Sequence, residues 1–311
     1  MCLILIAHGA HPHLPLVIAA NRDEFHGRPA AAASWWHDST GLLAGRDLQD
    51  GGTWIGVHRN GRFAAVTNFA EEPPLPSAGN AVAKRSRGEL TALFLQGDMG
   101  AQEYLEVIGT RAAQYRGFNL IIGDGTALHF FGNRDGGARQ LQPGTYGMSN
   151  DVLDCDWPKV QLGRHAIRNA IDASAVRSPS GEPKDPHRQA VEEAAAEAAQ
   201  EAAEEAAEQA SSVRALTDRL FDVLADPRVP PDEMLPKRGR DIELERRIAP
   251  TFINSDAYGT RASTVIVLSR CQGEVRLSFA ERRFGPMARE LGRAYHSFQV
   301  SPALSPGKQR D

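Results

Sequence analysis

MCLILIAHGAHPHLPLVIAANRDEFH, residues 1–26, is the stretch around which the rest of the chain is arranged. Residues 3–7 and 16–20 are two short apolar runs. Between them His8-Gly9-Ala10-His11-Pro12-His13-Leu14-Pro15 carries the Gly and Pro residues that break regular structure. Two such runs about a breaker predict a β-hairpin with largely buried strands. Folding the hairpin at its middle returns the end of its second strand to the start of its first. Asn21, Arg22 and Asp23 then stand beside Cys2. An initiator Met is normally removed ahead of a residue as small as Cys, which leaves Cys2 with a thiol and a free α-amine. An N-terminal nucleophile can use its own amine, of ordinary pKa roughly 7.7–8.0, as general base, and a nearby Arg favours the thiolate. The competing reading makes Cys2 a buried strand residue and NRDE a charged turn.

Composition narrows the field. The 311 residues are 41% hydrophobic with a net charge of −4 and no dense Lys/Arg block, which argues against nucleic-acid binding. No apolar run approaches the ~18 residues of a membrane span. The N-terminus lacks the positive n-region and cleavage site of a signal peptide, and its apolar run is too short for one. Cys2, Cys155 and Cys271 are an odd count without metal-like spacing, as expected in a reducing compartment. The expectation is a cytoplasmic protein with no transmembrane segment. His8, His11 and His13 form H-x-x-H-x-H in the turn but lack a companion motif such as H-E-x-x-H, so no metal site is assigned.

Further along, residues 29–40 read as an Ala-rich loop holding Trp35 and Trp36. Residues 45–57 pack four glycines around Trp54, and residues 53–57 and 63–67 read as strands joined by Arg59-Asn60-Gly61. Asn68 ends the second of these. Helices are expected over residues 85–96 and 101–115, a hairpin over 118–132, and a short strand running into Ser149-Asn150. A further helix opens at Pro158 and runs to about residue 171. Residues 173–212 are dominated by Ala and Glu, with Glu193, Glu197, Glu201 and Glu205 repeating at i,i+4. They read as an exposed helical or unstructured insertion. Residues 213–224 regain an amphipathic pattern. Tyr258-Gly259-Thr260-Arg261 feeds a buried strand paired with residues 275–279, and residues 301–311 read as a tail. Hairpins in two groups with helices between them suit an α+β sandwich, taken as one domain over residues 1–300.

HP-x-x-P-L-V-I-A-A-N-R-D-E-F, His11 to Phe25, followed by Arg28-Pro29, resembles the signature of the NRDE family, also called the transport and Golgi organisation protein 2 family. The resemblance runs in blocks to about Phe284. It implies a four-layer αββα sandwich of the N-terminal-nucleophile-hydrolase type. Carried over position by position, it implies Cys2 as nucleophile, with Arg22 and Asp23 beside its thiol and amine. Asn68 would be an oxyanion-hole donor, Asn150 would hold the amine or the substrate amide, and Arg261 would stabilise the site charge. Choloylglycine-type enzymes separate the Arg from the Asp by several residues. Here the two are adjacent, so the roles of Arg22 and Asp23 are exchangeable with those of Asn21 and Glu24. The family is associated with haem trafficking and with acyl-CoA or lipid handling. That implies an amphipathic small-molecule partner, haem or acyl-CoA, held by Asn21, Arg22, Asp23, Glu24, Arg46 and Trp54. No cofactor is required, haem entering only as a ligand. The alternative is an amidohydrolase or thioesterase acting through an acyl-Cys2 intermediate.

Overall fold

The computed structural model describes residues 2–70, 85–124, 127–174, 191–236 and 241–301, with side chains of residues 191–199 and 201 excluded. The opening hairpin is β1 (Cys2–His11) and β2 (Leu14–Phe25), paired antiparallel from Cys2↔Arg22 to His11↔Leu14 with a bulge between His8 and His11. Gly9 sits in that bulge at φ +57°, a backbone state that costs glycine nothing. Both faces of the hairpin are apolar because both are covered. Leu3, Leu5, Val17 and Ala19 enter one core, and Ile4, Ile6 and Ile18 enter another. Truncating one of these Leu or Ile side chains to Ala costs about 2–5 kcal/mol.

Two antiparallel sheets stack face to face. β10 (Gly144–Met148), β11 (Tyr258–Cys271), β12 (Glu274–Phe284) and β13 (Glu290–Gln299) join the hairpin in the order β10-β1-β2-β11-β12-β13. The second sheet runs in chain order through β3 (Ala30–Trp35), β4 (Leu42–Asp47), β5 (Ile55–His58), β6 (Phe63–Asn68), β7 (Phe118–Gly123), β8 (Leu128–Gly132) and β9 (Gly137–Leu141). Helices α3 (Pro158–Asp172) and α4 (Val191–Leu224) cover the outside of the first sheet, and α1 (Gly88–Gln96) and α2 (Ala101–Arg111) that of the second. The layers are therefore αββα, with one core between the sheets and one beneath each pair of helices. A short helix, α5 (Ile242–Ile248), begins at Asp241, whose carboxylate caps it. Gly163 lets α3 lie directly on β1: a Cβ there would come within 2.6 Å of Leu5.

Three expectations change. The loop placed at residues 29–40 contains β3, an edge strand whose alanines gave no alternating pattern. β13 supplies the other sheet with an edge the sequence did not announce. The Ala/Glu stretch and the amphipathic stretch after it belong to one 34-residue helix. Among the described side chains from 200 to 212 none is buried, whereas Val213, Leu216, Leu220, Phe221 and Leu224 enter the core. Residues 175–190 and the expected tail from 302 lie outside the described residues.

Candidate functional site

Register decides which motif residues meet. Cys2 is opposite Arg22, Arg22 opposite Ala262, and Ala262 opposite Arg283. Directly opposed residues of antiparallel strands share a face, so these four form one transverse row. By alternation the row lies on the face of Ile4 and Ile18, between the sheets. The row opens into a cleft of about 510 Å³ that Trp54 and Asn68 line from the second sheet. A bulge between Thr260 and Ala262 sets Arg261 out of the ladder. Its guanidinium donates to the carbonyls of Phe25 (2.7 Å) and Arg28 (3.0 Å) and lines the same cleft.

Cys2 is held by a chain of hydrogen bonds that ties the two sheets together. Its backbone N donates to Asn150 Oδ1 (2.9 Å), and Asn150 Nδ2 donates to Asn68 O (2.7 Å). Ser149 Oγ donates to Cys2 O (2.7 Å), and Thr67 Oγ1 to Ser149 O (2.6 Å). The Cys2 nitrogen is an amide in the full chain and stands for the α-amine only once Met1 is gone. Burial pushes the Cys2 thiol up, and the charge of Asp23 adds to that while Arg22 opposes it.

The four residues of NRDE divide by face. Asn21 is fully buried on the helix side. Its Nδ2 donates to Leu224 O (2.9 Å) and Thr251 O (2.8 Å), and its Oδ1 accepts from Ser263 Oγ (2.6 Å). It does not line the cleft, so the expectation that it contacts ligand gives way to a structural tie. Asp23 also belongs to the helix side but reaches the cleft wall. Its Oδ1 accepts from Thr260 Oγ1 (2.7 Å), and burial pushes its carboxyl up against the opposing charge of Lys159. Arg22 and Glu24 share the cleft, 3.9 Å apart, with Asp47 3.8 Å from Arg22. Arg46 lines the cleft while gripping Asp38 through both nitrogens (2.7 and 2.9 Å) and lying 4.1 Å over Trp36.

A model of the Transport and Golgi organisation 2 family matches residues 1–195 and 189–286. The chain belongs to this family. It is 32% identical over 300 residues to the Transport and Golgi organization protein 2 homolog of Bos taurus, covering 91% of this chain and 92% of that one. The Mus musculus homolog is 30% identical over 298 residues, again with 91% and 92% covered. Among solved structures, the mutant C2A conjugated bile acid hydrolase from Clostridium perfringens aligns over 100% of both chains at 9% identity and a TM-score of 0.35. A Caenorhabditis elegans N-acylethanolamine-hydrolyzing acid amidase ortholog aligns over 55% of this chain and 78% of that chain, at 9% identity and 0.34. The αββα order itself rests on the chain's own sheets and helices.

Two charged residues of this Transport and Golgi organisation 2 chain escaped the sequence. Lys159 is buried in the first turn of α3, donating from Nζ to Ile248 O (3.1 Å), and burial pushes its ammonium down while Asp23 and Cys2 pull it up. Glu281 is 3% exposed on β12 yet lines the cleft. Pro158 marked the helix start but not the cation behind it, and Glu281 lies just past the strand expected over residues 275–279. In the first turn, His11 Nδ1 accepts from His13 N (3.2 Å). Among the described residues no group of three or more His, Cys, Asp or Glu is arranged to hold a metal. Nor is any helix there long and apolar enough to cross a membrane.

Proposed function

We propose that the cleft around Cys2 binds and handles an amphipathic anion, of which haem and acyl-CoA are the two leading forms. The observation that carries this reading is the lining: eight arginines against five carboxyl side chains, beside Trp54, Ala262, Phe284 and Leu291. Arg261 and Arg283 have no carboxylate within ion-pair distance among the described residues, which leaves their charge for a ligand. A guanidinium pairs carboxylate or phosphate oxygens bidentately, and the apolar wall accepts a hydrocarbon or a porphyrin face. Burial of the Cys2 thiol disfavours its charged form, which supports carriage over catalysis.

Small molecules that copurify with the full chain, read by mass spectrometry and a visible absorption scan, test this directly. A bound acyl-CoA, or a Soret band, is expected. A preparation that arrives empty and then binds neither added haemin nor palmitoyl-CoA contradicts it.

A second reading has one observation of its own. The nitrogen of Cys2 is fixed by Asn150, and Asn68 lines the cleft beside it, the arrangement an acyl-Cys2 hydrolase of amides or thioesters would use. That reading needs mature protein beginning at Cys2. Intact mass showing Met1 retained would remove amine-assisted catalysis and leave binding untouched.

A further inference from the structure

Glu281 is a carboxyl that nothing in the hairpin motif requires, and it lines the cleft. It stands opposite Thr264 on β11, two residues from Arg283 and on the same face. Cys2 lies three strand spacings from Arg283, about 14 Å across the sheet. Only one end of the carboxyl is committed. Oε1 accepts from the amide of Ala33 on β3 (2.8 Å), bridging the two sheets. Oε2 has no hydrogen-bond partner among the described residues and lies alongside Gly45 on β4, 3.6 Å from where a Cβ would stand. A side chain almost wholly out of water thus presents one oxygen to a cleft otherwise rich in cations.

We propose that Glu281 reads the ligand: protonated, it donates from Oε2 to an oxyanion oxygen of the bound molecule beside Arg22 and Arg283, so that binding takes up one proton. The ligand class is an amphiphile ending in a carboxylate or a phosphate. This rests on the reading of the cleft as an anion site and adds a proton to it.

The chemistry follows from placement. An ionised carboxylate beside an incoming oxyanion repels it, whereas a protonated one donates a hydrogen bond to it. Burial pushes the Glu281 carboxyl up, and Arg283 and Arg22 oppose this without reversing it. The charges acting on it are Arg283 on β12 and Arg22 on β2, and Arg28, Arg46 and Asp47 line the same cleft. Arg28 is bound to Asp47 (2.7 Å) and Asp50 (2.6 Å), and Arg46 to Asp38. Arg283, and Arg22 with its long pairs to Glu24 (3.9 Å) and Asp47 (3.8 Å), share the face of Glu281 and are the cations placed to share the oxyanion with it.

Glu281→Gln separates the two states. The amide keeps an oxygen for Ala33 and offers a permanent N–H to the cleft. Calorimetry of the full chain with decanoate and with decyl phosphate, in two buffers of different ionisation enthalpy between pH 6 and 9, counts protons taken up per probe bound. Wild type should take up about one proton more than Glu281→Gln, since the phosphate's own ionisation contributes equally to both. With decanoate, ionised throughout this range, its affinity should fall about tenfold per pH unit above the Glu281 midpoint while that of the variant stays level. Proton-linked binding of one probe alone names the oxyanion. Equal proton uptake in the two proteins overturns the proposal and leaves the anion site standing. Failure of both probes to bind at any pH removes both.

Discussion

The two faces of β2 are built for different work. Asn21 turns toward the helices and spends its amide on Leu224, Thr251 and Ser263. Arg22, one residue on, turns into the cleft beside Cys2 with only loose ion pairs to Glu24 and Asp47. A four-letter motif thus alternates a lock with a charge facing the cleft, because a strand presents successive side chains to opposite sides. The lock fixes segments more than 200 residues away in sequence, and the charge lines the cleft. Residue type alone does not tell these roles apart, since both are polar strand-end residues. Partners do.

The sharpest way to break that contrast is to remove the lock. Asn21→Leu leaves a buried and a part-buried carbonyl without donors and should cost about 3 kcal/mol or more. Arg22→Ala, by the same chemical denaturation, should cost within about 1 kcal/mol. Similar losses for the two would erase the division of faces.

A smaller effect sharpens the cleft side. Glu281 is held above its unfolded value, mainly by burial. Such a carboxyl contributes stability that is present below the unfolded value, roughly pH 4.3, and lost as pH rises through its folded midpoint. Glu281→Gln should therefore gain on wild type as pH rises from about 5 to 9, read as denaturation midpoints across pH. A gap that shrinks with rising pH would show that the carboxyl is ionised and stabilised instead.

The smallest effect is expected at the far end of α4. Core contact among its described side chains begins at Val213. What ties the preceding turns to the body includes Gln209 Nε2 to Arg270 O (2.9 Å) and Gln272 Nε2 to Glu205 Oε2 (2.6 Å), both exposed. Replacing residues 185–212 with a short linker should shift thermal unfolding by no more than about 1 kcal/mol equivalent. Loss of a single cooperative transition would show that this half packs on the domain.

What the sequence revealed follows the same division. The opening hairpin, the Asn60-Gly61 turn and the helix at Pro158 were legible because each is local: apolar runs, a turn residue at φ +90°, a proline at a first turn. The convergence of Cys2, Arg22, Asn68 and Asn150 was legible through their shared strand-end placement and family resemblance. The faces of Asn21 and Asp23 were not, because only the register of β2 against its neighbours sets which side each takes. Lys159 and Glu281 were hidden for a related reason. A buried charge survives on partners distant in sequence, Ile248 for one and Ala33 for the other, and no local pattern displays them. β3 and β13 were missed as edge strands, where one-sided pairing permits alanine-rich or polar sequence.

The central claim, that the cleft carries an anionic amphiphile and does not turn it over, is tested most directly by equilibrium binding of palmitoyl-CoA and haemin to three proteins. Wild type and Cys2→Ser should bind within about threefold of each other, since the hydroxyl keeps the shape of the site. Arg22→Ala should bind roughly ten- to a hundredfold more weakly, the loss of a contact worth about 1.5–3 kcal/mol. The contradicting result is Arg22→Ala binding like wild type while wild type alone releases free coenzyme A and carries an acyl adduct on Cys2.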